Sequence, residues 1–90
     1  MVVLANATVW FAHACSFDAN YKARFGVYAP EITRSRLEAV YATKATFAGI
    51  LLGNGWCNYL LQVRCWENTI GIVLVNAGKS CATFLGNYDP

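Results

Sequence analysis

Few residues of this 90-residue chain are equipped for chemistry: five acids, one histidine and four cysteines. Cys15, Cys57, Cys65 and Cys81 never fall into the C-x-x-C spacing that a zinc knuckle or a dithiol redox site needs. With a single histidine, a Cys/His metal site must be assembled in space rather than along the chain. Three disulfide connectivities are open, and the plainer reading is four reduced, mostly buried thiols packing as small hydrophobes. His13 reads as a packed or surface histidine rather than a ligand or base. Glu38 and Glu67 are the acids whose positions invite a catalytic or metal-binding role. Glu38 also has a structural use, closing an S-x-x-E capping box that begins at Ser35. Trp10, Trp56 and Trp66 offer rings for stacking on bases, but read first as core or interface anchors.

The composition says what must surround these residues. Residues of the AVILMFWYC set make up 57% of the chain and DEKR only 13%, against about 25% charged in an ordinary soluble domain. A chain this short buries only a little over ~60% of its unfolded surface. Some apolar surface is therefore expected to be covered by a protein partner or a second copy. A net charge of +2, carried by seven scattered basic residues, gives weak support for nucleic acid as a partner. No stretch reaches the ~18 uninterrupted apolar residues of a membrane span. Ala12-His13-Ala14 fits a small-x-small cleavage pattern. No positive segment follows Met1, however, and Asn6 and Thr8 interrupt the apolar run, so the chain reads as intracellular rather than as a small exported cysteine-containing protein.

No internal repeat, linker or low-complexity block is evident, which predicts one domain over 1–90. Residues 2–15 read as a strand, 16–20 as a turn, and 21–29 as a second strand stopped by Pro30. Residues 35–52 read as the main helix, with Leu37, Val40, Tyr41, Phe47, Ala48 and Leu51 forming an apolar stripe. Gly53-Asn54-Gly55 ends it. Residues 59–66 read as a third strand, and 69–75 is ambiguous between strand and short helix. This order predicts an α/β layer with a helix packed on a small mixed sheet.

Four stretches in order resemble the ribonuclease H family, the cellular type in particular. They are Val9-Trp10-Phe11-Ala12-His13-Ala14-Cys15-Ser16, Ala23-Arg24-Phe25-Gly26-Val27-Tyr28, Thr33-Arg34-Ser35-Arg36-Leu37-Glu38, and Trp66-Glu67-Asn68 running into Thr69. The resemblance implies a truncated ribonuclease H-like domain in which 69–77 forms a short second helix. The family cleaves phosphodiesters with two Mg²⁺ ions held by clustered carboxylates. Carried over, the first carboxylate falls on Ala12, the second on Glu38 and the third on Glu67. A metal site missing its first ligand implies a non-catalytic binding or dimerisation module with no cofactor. The alternative implied is a minimal nuclease cleaving RNA in RNA–DNA hybrids, with Mg or Mn held by Glu38 and Glu67, joined by Asp18 from the turn after the first strand.

Overall fold

The structure, a computed structural model, describes residues 2–4, 7–55, 57–75 and 84–86. The first coil carries β1 (Val2–Val3), β2 (Ala7–Thr8), β3 (Phe11–His13) and β4 (Ser16–Asp18). The second carries β5 (Phe25–Ala29), β6 (Ile32–Thr33), β7 (Arg36–Glu38) and β8 (Tyr41–Thr43). In the third are β9 (Ala48–Gly53), β10 (Tyr59–Leu61) and β11 (Arg64–Trp66), and in the fourth β12 (Ile70–Val75) and β13 (Phe84–Gly86). Each strand pairs in parallel with its equivalent one coil on, giving the orders β1-β5-β9-β12, β3-β7-β10-β13, β4-β8-β11 and β2-β6. The result is a solenoid-like stack with a repeat of roughly 22–25 residues.

Stacking puts like residues over one another. Val2, Val27, Ile50 and Ile72 occupy one column, Ala12, Leu37 and Leu60 a second, and Phe17, Ala42 and Cys65 a third. In the two middle coils the inward members of these columns, with Ala29, Leu52, Val40 and Val63, are sealed from solvent. A column of aliphatic side chains buries apolar area that no single coil could bury alone, which is how repeats without their own core become stable.

The corners between strands are made by residues in the left-handed backbone region. Ala14, Ala39 and Gln62 turn the chain from the β3-β7-β10 sheet into the β4-β8-β11 sheet, with φ of 54°, 54° and 52°. Val9, Arg34 and Cys57 do the same one corner earlier, at φ of 58°, 57° and 58°. This backbone costs a non-glycine residue on the order of 1–2 kcal/mol. The cost is offset because the corner amides extend the ladder to the next coil: Ala14 N–H donates to Glu38 O at 3.0 Å, and Ala39 N–H to Leu61 O at 3.0 Å.

Two asparagines close the ladder where strands break. The fully buried Asn58 accepts from Ser35 N (3.0 Å) and Ser35 Oγ (2.8 Å) and donates to Ile32 O (3.1 Å). Asn68 repeats the pattern at another corner, accepting from Ala45 N at 2.8 Å and donating to Ala42 O at 3.0 Å. Both reach back to the coil before. Where coils approach too closely for any side chain, glycine is required: a Cβ on Gly49 would lie 2.8 Å from Gly71 O, and one on Gly55 only 1.7 Å from Ile32 O.

This architecture overturns the α/β, ribonuclease H-like expectation. The structure is all-strand, with no helix among the described residues, and its sheets are parallel rather than mixed. The predicted helix over 35–52 is β7, β8 and the greater part of β9, joined by corners. Ser35 binds Asn58 instead of capping a helix. The short helix over 69–77 is β12 through Val75, while 76 and 77 lie outside the described residues. The predicted single strand over 2–15 is broken into β1, β2 and β3, and 59–66 into β10 and β11 with Gln62 at the corner. A repeat is present where none was expected. The cysteines are not all reduced either: Cys57 is disulfide-bonded, while Cys15 and Cys65 are free thiols.

Candidate binding surfaces

The residues that would have built a metal site are dispersed. Ala12, on β3, points into the core at 5% exposure, beneath Leu37. Glu38 lies on β7 between His13 and Leu61 of the neighbouring strands, and its Oε2 pairs with Arg36 Nε at 3.3 Å. Glu67 is at the corner after β11, where its carboxylate accepts a hydrogen bond from Tyr21 Oη. That bond is the largest cause raising the Tyr21 phenol above its ordinary 10.0, ahead of desolvation and the charges of Glu67 and Asp18. Asp18 Oδ1 accepts from the Asn20 backbone N–H at 2.8 Å. Among the described residues no three His, Cys, Asp or Glu side chains are grouped to hold a metal ion.

The aromatic residues are distributed differently. Trp66 is 40% exposed and lies against Tyr41, with ring centroids 5.4 Å apart, while Arg64 sits 5.8 Å over the other ring of that pair, Tyr41. Phe11 and Tyr59 are exposed on the neighbouring sheet on either side of Arg36. Trp10 is half-buried against the core at the first coil. Trp56 lies outside the described residues.

Apolar surface is also left open at the two ends of the stack. In the middle coils Val27, Ala29, Ile50 and Leu52 have no exposure at all. Their counterparts in the first coil, Val2 and Leu4, are only half-buried, as are Trp10, Cys15 and Phe17. At the other end Ile72 is half-buried and Leu74 is 44% exposed. β12 pairs with β9 on one side, and among the described residues no strand lies on its other side. The composition anticipated uncovered apolar surface but could not place it. Recurrence of Gly26-Val27, Gly49-Ile50 and Gly71-Ile72 is the signal that would have aligned the coils and exposed their end members.

No helix of the described residues is long and apolar enough to cross a membrane. No protein-family model matches the chain, and neither a curated protein nor a solved structure is significantly similar to it.

Proposed function

We propose that this chain is a non-catalytic assembly module whose coils continue from one copy into the next. The observation that supports this is the burial gradient along the column of Val2, Val27, Ile50 and Ile72, complete in the two middle coils and reduced to half-burial in the first and last. The two ends are complementary by construction. Among the described residues β12, which carries Ile72 and Leu74, is paired on one side only, and β1, with Val2 and the adjacent Leu4, forms a second edge of the same polarity. An open parallel edge is a template for another strand. Joining the last coil of one copy to the first coil of another is a head-to-tail contact, which grows as an open chain of copies unless the rotation closes. Trp10, among the apolar side chains of the first coil, is the type of residue that dominates such contacts.

Sedimentation velocity at micromolar concentrations tests the proposal. The expected result is a ladder of oligomers that collapses to monomer in Leu74→Lys, whose exposed position leaves the fold intact by circular dichroism. A single monomeric species for the unaltered chain, or a ladder indifferent to Leu74→Lys, overturns it.

A further inference from the structure

A second surface lies in the corner that leads from β4 into β5. There the chain folds back on itself, with Lys22 N–H donating to Ala19 O at 3.0 Å and Ala23 N–H to the same oxygen at 3.2 Å. The turn opens a cleft of about 440 Å³ lined by Lys22, Ala23, Arg24, Phe25 and Tyr28, within the range of small-molecule sites.

The rings of this cleft are organised. Phe25 stacks on Tyr28 at 4.7 Å and meets Phe47 edge-on at 5.6 Å. The Arg24 guanidinium lies over both Phe25 and Phe47, at 5.6 and 5.5 Å from their centroids. The two ring contacts hold this guanidinium in place, and a guanidinium carries its N–H donors in a planar fork that suits a phosphate. Two cations therefore line one cleft, and among the described residues no acid lines it with them. Neither Lys22 nor Arg24 is ion-paired with a carboxylate among the described residues. The acids of the same corner are engaged otherwise, Asp18 by the Asn20 amide and Glu67 by Tyr21.

Two unneutralised cations beside a half-exposed tyrosine ring are matched by one chemistry: an anionic group carried on a planar ring. We propose that this cleft binds a small aromatic phosphate of the nucleoside monophosphate class. The phosphate is taken by the Lys22 ammonium and the Arg24 guanidinium, and the ring packs against Tyr28. Charge-assisted contacts supply most of the affinity, and the ring contact separates this ligand from a bare oxyanion. The site is independent of the association of coil ends.

Calorimetric titration of the full chain at low ionic strength with adenosine monophosphate, adenosine and inorganic phosphate tests it. Adenosine monophosphate is expected to bind roughly tenfold or more tighter than either fragment, as the loss of one charge-assisted contact corresponds to about that factor. Lys22→Ala, which leaves the backbone turn and the ring cluster in place, is expected to weaken adenosine monophosphate about tenfold with an unchanged melting temperature. Arg24→Gln is expected to do the same, and Lys22→Ala decides the matter if Arg24→Gln fails to fold. Absence of binding, or Lys22→Ala binding as the unaltered chain does, overturns the site. Adenosine binding as tightly as its monophosphate overturns the role of the cations, and inorganic phosphate binding as tightly overturns the ring contact.

Discussion

Replacing Asn58 by alanine tests whether the coils are joined by their side chains as well as by their backbones. The side chain has no solvent exposure and makes three hydrogen bonds, all to the coil before it. Asn58→Ala strands the Ser35 N–H and the Ile32 carbonyl, both taken by this one amide. The Ser35 hydroxyl can rotate, so two orphaned backbone groups are counted. A buried polar group left without a partner costs about 1–3 kcal/mol, and the vacated volume adds to it. The expected loss is roughly 3–5 kcal/mol, a large share of the roughly 5–15 kcal/mol that holds a domain folded. Urea unfolding followed by tryptophan fluorescence reads it as a midpoint lower by roughly 2 M, for a slope near 2 kcal/mol/M. Asn68 makes the same two backbone contacts in a partly buried setting, where water can substitute. Asn68→Ala should therefore lose less, about 1–2 kcal/mol. A loss below about 1 kcal/mol for Asn58→Ala, or a larger loss at Asn68, would contradict this role for the buried Asn58 side chain.

Gly55→Ala drives a Cβ to within 1.7 Å of the Ile32 carbonyl oxygen, backbone against backbone, so a loss of about 3 kcal/mol or more is expected by the same urea assay. Ala39→Gly is expected to be neutral or stabilising, because φ of 54° favours glycine. In a helix the same change would cost about 1 kcal/mol. Burial pushes the Cys65 thiol up to about 12 from 9.0, only partly countered by a backbone hydrogen bond from Ala42. Between those values the folded chain keeps a proton that the unfolded chain has lost, so this thiol's contribution to stability is present below pH 9 and declines as pH rises toward 12. The slope is on the order of 1.4 kcal/mol per unit. Cys65→Val removes that slope, measured by urea midpoints across the range, and a slope unchanged by the substitution contradicts the assignment. A maleimide is expected to label Cys15 in the native chain and Cys65 only after unfolding, read by peptide mass mapping. Native labelling of Cys65 would contradict its placement in the core.

The sequence over 35–52 resembles a helix for a physical reason that lies in the corners. In an uninterrupted strand the inward positions are spaced by two. Here the left-handed residue at Ala39 lets both Leu37 and Val40 face inward, and Ala42 follows two residues later. That spacing of three and then two recurs as Leu60, Val63 and Cys65, and it imitates the three-and-four spacing of an amphipathic helix. Ser35 and Glu38 supplied a capping pattern by coincidence, since the serine serves Asn58 and the glutamate pairs with Arg36. The repeat itself was legible in Gly26-Val27, Gly49-Ile50 and Gly71-Ile72, but it shows only when the chain is read in blocks of a coil. The expectation of uncovered apolar surface came from composition alone. Its location at Leu74 and Leu4, and the cleft at Lys22 and Arg24, depend on how the coils stack, which no local pattern encodes.

Two-dimensional nuclear Overhauser spectroscopy of the isotope-labelled chain reads the parallel stacking of the coils from backbone proximities. Neighbouring parallel strands lie about 4.8 Å apart. Backbone contacts are therefore expected between Val27 and Ile50, Leu37 and Leu60, and Ala42 and Cys65. Absence of those contacts, with α-proton to amide contacts three residues apart running through 35–52 instead, would contradict the account.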